Sequence, residues 1–487
     1  MKKIKNILVG LVAVSLAGGF SSCSDYLDIN TNPNYPATAE PATLLPSALA
    51  STAMAVGFQY ELFGTFWAQH ATQYVLSNQY NTFVTYNITS NNSYAGRAWS
   101  NFYAMALPDL DLTIKQSEES GSWNYWVMAK VMMAYDFLML TDAFGDIPFT
   151  EALLGDGSPK YDDSKSVVYP GVMALLDEAI AKAADATADN LPVIYNQDYV
   201  FSGDIPAWIE FAKSLKLKML IRDFDTNKSA IQTLLNDNLL TEDAKMDIFV
   251  DQANKSNPLY ENDRRMLNTQ NNLRATTTLA DYLLANDDPR ISDFFDLNNG
   301  GGYSGMRFGG NGTTDKASGE ASSRIKLGAT DPVYLMSAAE VEFLKAECYA
   351  RLDNATSAKE HYDEAVSLAF ERWNKDASAF IGVGGNYEFK SGSTDEMLTC
   401  ILTQKWVAST RCQAWDAWFD FSRTGIPAMS SVYSDDPTYQ VGMFCPSINP
   451  SIDGYPCRLP YVNASLDYNT SAPEAKPITE ALWWHKK

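Results

Sequence analysis

Two stretches of this chain carry a residue spacing that suits closely paired helices. Ala346, Tyr349, Ala358, Tyr362 and Ala365 fall at the small and aromatic positions of a helix-pair unit of about 34 residues. Small residues let the two helices of a pair approach closely, and aromatic residues fill the gap to the next pair. Trp208, Phe211, Ala212 and Leu215 follow the opening-helix pattern of the same unit. The earlier stretch lacks an aligned second half and the later one lacks the opening Trp. Either alone could be an ordinary amphipathic pair; together they favour a helical-repeat scaffold over any sheet-based fold.

The pattern is tetratricopeptide-like, and the rest of the chain agrees with a mostly α fold. Helical periodicity runs over residues 44–69, 99–115, 123–144 and 168–184, the third stopping at Gly145 with Pro148 beyond. Three stretches break it. Residues 73–95 mix Asn, Ser and Thr with aromatics, 297–327 hold seven glycines between Gly300 and Gly312, and 430–476 are rich in Pro, Tyr, Asn and Ser. Trp406, Trp415, Trp418 and Phe419 sit at helical spacing and read as core, with Trp483 and Trp484 as packing anchors near the C-terminus.

The N-terminus sets the compartment. Lys2, Lys3 and Lys5 precede an apolar run over residues 7–20, then Ser21, Ser22 and Cys23. That order is a secretory leader, too short for a stable membrane span. Small residues before Cys23 suit a bacterial lipoprotein signal over residues 1–22, with Cys23 the lipidated first residue of the mature protein. Ordinary secretion, cleaved between Ala17 and Ser24, is the alternative. Residues 23–46 read as an extended tether and 47–487 as the folded body. No later apolar stretch approaches the length of a span.

Removing the three leader lysines leaves 34 basic against 59 acidic residues, a net charge of −25. That balance opposes binding to nucleic acid or anionic lipid. Beyond Cys23 the cysteines are Cys348, Cys400, Cys412, Cys445 and Cys457, an odd number that leaves at least one thiol free. Cys400 and Cys412 read as one helix, about 18 Å apart by helical rise and too far to bridge. Cys445 and Cys457 flank a Pro/Gly-containing loop and could pair. With only His70, His361 and His485, and no CxxC or HExxH, a zinc site is not expected.

Eight strings, in order over most of the mature chain, resemble the SusD/RagB-like nutrient-binding outer-membrane lipoproteins of Bacteroidetes, in their SusD-like second branch. They are "CSDYLDINTNPNYPATAEPATLLPSAL" from Cys23, "YDFLMLTDAFGDIPFTEAL" from Tyr135, "FSGDIPAWIEFAKSLKLKMLIR" from Phe201, "NPLYEN" from Asn257, "LADYLLANDDPRISDFF" from Leu279, "AAEVEFLKAECYARL" from Ala338, "ILTQKWVASTRCQAWDAWFDFSRTGIP" from Ile401 and "RLPYVNASLDYN" from Arg458. Ser24 and Asp25 also resemble the acidic surface-export context of such lipoproteins. The resemblance implies tetratricopeptide-like helix pairs supporting an irregular, loop-rich ligand-binding lobe. It further implies a SusC-like TonB-dependent outer-membrane barrel as partner, with this protein as its surface lid, a glycan or peptide as cargo, no cofactor and no covalent chemistry.

Glycan binding needs flat aromatic faces for the apolar side of a sugar, with amides and guanidinium groups for its hydroxyls. Residues 73–95 offer Tyr74, Tyr80, Phe83, Tyr86 and Tyr94 among Gln73, Asn78, Gln79 and Asn81, and the corresponding family loop often reaches the ligand. The alternative is that these rings fold inward and cap the helices. Tyr303, Arg307 and Phe308 in the Gly-rich stretch are the second candidates. Asp142, Asp146 and Glu151 invite a calcium or hydroxyl site, against a more ordinary role in capping and turns. A calcium loop opening at Asp296 fails because Arg307 stands where the closing Glu belongs. Two other functions stay open: a protein-interaction scaffold, and a glycoside hydrolase, which needs only a carboxylate pair across a cleft. No GxSxG elbow or Cys–His arrangement supports other hydrolase chemistry.

Overall fold

The computed structural model describes residues 39–155, 157–188, 190–309 and 321–486. Cys23, the leader and most of the tether lie outside the described residues. About half of the chain is helical. Among the described residues, the helices of eight residues or more are α1 (Pro41–Trp67), α2 (Ser93–Ser100), α3 (Leu107–Ser120), α4 (Trp123–Phe144), α5 (Tyr169–Ala181), α6 (Ile205–Ile221), α7 (Phe224–Leu234), α8 (Thr277–Ala285), α9 (Ala338–Arg351), α10 (Ala355–Glu371), α11 (Thr394–Ala408) and α12 (Ala414–Thr424). Among the described residues, three two-stranded antiparallel ribbons join the helices: β1 (Ala71–Gln73), β2 (Ile147–Pro148), β3 (Tyr161–Asp162), β4 (Ala244–Met246), β5 (Leu273–Ala275) and β6 (Val333–Met336), paired β1–β5, β2–β3 and β4–β6.

Helix pairs appear where the small and aromatic residues predict them. Ala346, Ala358, Tyr362 and Ala365 are all buried in one apolar cluster that α9, α10 and α11 share. Trp208, Phe211, Ala212 and Leu215 are buried along α6. Its partner is α7, the half that the sequence pattern does not display. Side-chain caps mark the starts: Asp204 for α6, Ser337 for α9, Asn354 for α10, and a Ser393–Glu396 capping box for α11.

Helix α1 begins at Pro41, so the last six residues of the stretch read as tether are helical. Proline in the first turn gives up no hydrogen bond and presets the helical φ. By length and composition α1 could cross a bilayer, which the sequence reading did not expect after the leader. Here it is core: Leu45, Leu49, Val56, Leu62, Phe63 and Phe66 are wholly buried. Helix α4 is buried on nearly every side and ends at Gly145, whose φ of +80° stops it as read. Trp406, Trp415, Trp418 and Phe419 are all buried. Near the C-terminus Trp484 covers the Arg222 guanidinium at 4.1 Å and Trp483 lies under Lys165 at 4.9 Å.

One cysteine expectation is corrected, and one open pairing is decided. Helix α11 stops at Ala408, so Cys412 lies beyond it in a turn where Arg411 takes a φ of +56°. Cys445 and Cys457 are free thiols. Cys445 is buried, its Sγ 3.4 Å from both Gln69 Oε1 and Thr278 Oγ1, while Cys457 donates to Tyr455 O at 3.5 Å.

A buried ionic spine crosses the scaffold. Lys218 of α6 meets Glu340 of α9 at 2.9 Å and Asp416 of α12 at 2.5 Å. Lys405 of α11 meets Asp420 of α12 at 2.7 Å, and Arg423 bridges Asp420 and Glu347 of α9, each at 2.8 Å. Arg222, just past α6, pairs with Asp142 of α4 at 2.8 Å. Each ion is almost enclosed, so its desolvation is offset only while its partner stays in place.

Glu61 of α1 is a buried acid outside this spine, its Oε2 accepting Ala414 N at 3.0 Å at the start of α12. Burial pushes its pKa up to about 8 from 4.5. A raised acid contributes its stability fully below pH 4.5, and loses it as pH climbs toward 8. Glu61→Gln keeps the acceptor without the proton. Its urea midpoint is expected to gain on the parent protein between pH 5 and pH 8; parallel curves would contradict this.

Candidate ligand cleft

The segment after β1 turns its rings inward. Gln73 Oε1 accepts Tyr80 N at 2.6 Å, and Tyr80 OH donates to buried Asp263 at 2.8 Å. Phe83 packs against Phe63 at 4.7 Å, Phe66 at 5.3 Å and Tyr94 at 5.2 Å. Tyr86, held at a φ of +57°, meets Phe308 at 5.9 Å and Tyr455 at 5.8 Å. Tyr74 lies under the Arg274 guanidinium at 4.4 Å. Tyr80, Phe83 and Tyr86 are at most 3 % exposed and Tyr74 is 8 % exposed. The expectation that this loop shows ring faces to a ligand is therefore corrected for these four. Burying each ring is worth more than exposing it, and Tyr80 finds a carboxylate partner inside.

Both candidate loops nevertheless belong to one lobe. Tyr74, Val75 and Met306 form a small apolar cluster, and Gly309 N donates to Thr72 Oγ1 at 3.3 Å. Met306 N donates to Ala275 O at 2.8 Å, which docks the Gly-rich stretch on β5. Tyr303 is half-buried against the main core. Arg307 is half-exposed and paired with Asp435 at 2.9 Å. The tail lies over the lobe as its composition suggests: Ile448 N donates to Phe308 O at 3.2 Å and Ser451 N to Thr85 O at 2.7 Å.

Beside this lobe opens a cleft of about 350 Å³ that the sequence reading missed. Gln59 and Asn101 line one part, Asn254, Glu261 and Asn262 another, with Arg97 and Ser256 adding donors. Met54, Phe58, Pro258 and Met266 supply its apolar surface. Asn101 Nδ2 donates to Gln59 Oε1 at 3.3 Å, and Asn262 Nδ2 donates to Tyr80 OH at 3.3 Å. Tyr80 thus stands behind the cleft wall, and Tyr94, edge-on to Phe58 at 5.8 Å, supports its floor.

Three π-helical turns meet here. Gln59 and Phe58 lie in the turn Ala55–Tyr60, Asn101 opens Asn101–Ala106, and Glu261, Asn262 and Met266 belong to Glu261–Met266. A π-turn inserts a residue and re-aims the side chains around it, and such turns concentrate at functional sites. The only sequence signal was "NPLYEN" at Asn257, whose Pro258, Glu261 and Asn262 line the cleft.

The lining mixes four side-chain amides with one guanidinium, Arg97, and one carboxylate, Glu261. The amides of Asn101, Asn254 and Asn262 offer paired donors and acceptors over a buried Gln59, and the exposed thioethers of Met54 and Met266 offer apolar contact. Glu261 is the one carboxylate among the lining residues, paired with Arg265 at 3.4 Å. A hydrolytic pair across this cleft would need a second.

The acidic trio beside Gly145 is committed to structure. Asp142 takes Tyr169 OH and Arg222, Asp146 accepts Ser164 N at 2.8 Å, and Glu151 accepts Lys160 N at 3.0 Å. Near Asp296, Asn298 Oδ1 accepts Gly300 N at 2.9 Å and Gly302 N at 3.1 Å, which makes that stretch a turn.

Comparison with known proteins agrees with this architecture. A SusD homologue from Bacteroides uniformis superposes with a TM-score of 0.71 at 24 % identity, over 91 % of this chain and 99 % of that one. A chitin-binding SusD homologue from Flavobacterium johnsoniae gives a TM-score of 0.71 at 17 % identity, over 90 % and 98 %. A SusD homologue from Bacteroides fragilis gives 0.69 at 20 % identity, over 92 % and 100 %. At these identities the likeness establishes the fold. No curated protein sequence matches the chain. Residues 33–441 match the family described as SusD-like, starch-binding and associating with the outer membrane, and the chain belongs to that family.

Proposed function

We propose that this protein is a non-catalytic, lipid-anchored nutrient-binding protein of the cell surface. It captures an oligosaccharide and delivers it to a SusC-like TonB-dependent barrel. The convergence of three π-turns on one amide-lined cleft carries this reading, because it spends irregular backbone to bring amides from separate segments to a single space. Family membership supports the glycan class and the outer-membrane setting. The leader and Cys23 support the anchor. Tyr80 acts in this reading as backing for the cleft wall through Asn262, Tyr74, Phe83 and Tyr86 hold the lobe beside it, and Tyr303 and Arg307 keep partly exposed surface for a chain that runs on across the loop face.

Calorimetric titration of the leader-free protein with maltoheptaose and chitohexaose tests it. One of the two glycans is expected to bind and to be recovered intact. Each amide contributes about 1 kcal/mol net, so Asn101→Ala with Asn262→Ala should weaken binding by roughly 30-fold. Unchanged affinity in the double variant would move the site elsewhere, and shortened glycan would overturn the non-catalytic reading.

A further inference from the structure

A second pocket, of about 460 Å³, opens where α8, α11, residues 386–390 and residues 426–443 meet. Its centre is Tyr282, a half-buried ring fixed from three directions. Tyr387 lies parallel to it at 6.2 Å with 6° between the planes, and Trp406 meets it edge-on at 5.6 Å. Gly442, at a φ of +91°, lets the chain pass so close that a Cβ there would sit 2.7 Å from Tyr282 Cδ2. The supports are themselves locked. Gln404 Nε2 donates to Tyr282 OH at 3.0 Å, and Tyr387 OH donates to Asp288 at 2.7 Å, whose carboxylate is paired with buried Arg290 at 2.6 Å.

The lining has no net charge to offer a ligand. Glu388 and Lys390 are the charged residues that line it, and they pair with each other at 3.4 Å. The remaining polar groups are neutral: Asn386, Thr399, Thr403, Gln404 and Gln440, with Tyr282 OH able to donate while accepting from Gln404. Ile426, Pro427, Val441 and Met443 give apolar contact. A rigidly held tyrosine among amides and hydroxyls, in a space of this size, loses little freedom when a rigid, uncharged ring carrying hydroxyls enters.

We infer that the Tyr282 pocket is a second carbohydrate site, which takes one or two neutral pyranose units independently of the cleft between the π-turns. The choice of ligand class rests on the glycan-binding reading above; the place does not. Two sites on one body would hold a long glycan at two points, raising its apparent affinity through effective concentration alone.

Cys400 provides a reporter, because its half-buried thiol lines this pocket. Cys457, also half-buried and outside it, is the internal control. Alkylation by iodoacetamide is followed at each cysteine by peptide mass spectrometry, with and without maltoheptaose or chitohexaose. At ten times its dissociation constant, a glycan in the pocket should slow alkylation at Cys400 by about tenfold and leave Cys457 unchanged. Protection should survive in the Asn101→Ala, Asn262→Ala variant, and calorimetry should count two sites in the parent and one in Thr403→Trp, which fills the pocket. Glycan bound at a single site with Cys400 unprotected overturns this inference and leaves the cleft reading standing. Protection of Cys400 with no effect of the cleft variant on any affinity overturns the cleft reading instead. Failure of both glycans to bind overturns both.

Discussion

Gly64→Ala is expected to destabilise the fold by about 3 kcal/mol or more, at the upper end of overpacking costs. At Gly64 the backbone of α1 passes against the start of α12. A Cβ there would stand 2.1 Å from Trp415 N, 2.2 Å from Ala414 C and 2.5 Å from Ala414 O. These are backbone atoms, so no side chain can swing aside, and the contact between α1 and α12 has to open. The same opening would stretch the bond from Ala414 N to Glu61, three residues earlier in α1. Gly96 in α2 is the control, since a Cβ there meets nothing within 4 Å. Gly96→Ala should stabilise by up to about 1 kcal/mol through helix propensity. Urea midpoints moving in opposite directions would support the account; a neutral Gly64→Ala would contradict it.

Glu347→Ala should cost about 3–5 kcal/mol, because it leaves buried Arg423 with only Asp420, a carboxylate already shared with Lys405. Glu347 is wholly buried and takes both arms of Arg423 and the Nε of Arg351, the latter at 2.8 Å. Burial alone would raise its pKa, but Arg423 and Arg351 outweigh burial and hold it at about 2, against 4.5 when unperturbed. A depressed acid contributes stability above the unfolded value and loses it as pH falls toward the folded one. The contribution is therefore complete above pH 4.5 and disappears toward pH 2. Stability of the parent protein should fall across that window more steeply than that of Glu347→Gln. Equal slopes would mean that Glu347 is not the acid sensor of the spine.

The sequence made the scaffold legible and the cleft obscure, for separate physical reasons. Helix α4 could be bounded at its C-terminal end because a long apolar period meets Gly145 and Pro148. The α9–α10 pair could be read because close helix packing demands small residues at fixed places. Trp406, Trp415 and Trp418 declared themselves core by helical spacing. Residues 73–95 have no period, so their composition reveals that aromatics are present but not which way each ring turns. Tyr80 and Tyr86 could be sorted only by their partners, Asp263 and Phe308, which lie about 200 residues away. The π-turns leave no mark in the sequence, since one extra residue in a helix is decided by packing. Gln59, Asn101 and Asn262 come from three distant segments, so no window of sequence contains the cleft. Helix α11 ends short of Cys412 for a tertiary reason as well: Arg411 turns out to reach Asp293 O and Asp331.

The most direct test of the central claim is a crystal structure of the leader-free protein soaked with whichever of maltoheptaose and chitohexaose binds. The account predicts sugar density between Asn101, Asn254 and Asn262, with hydroxyls on the amides and an apolar face against Met266. An empty cleft, with the sugar held only elsewhere on the protein, would contradict it.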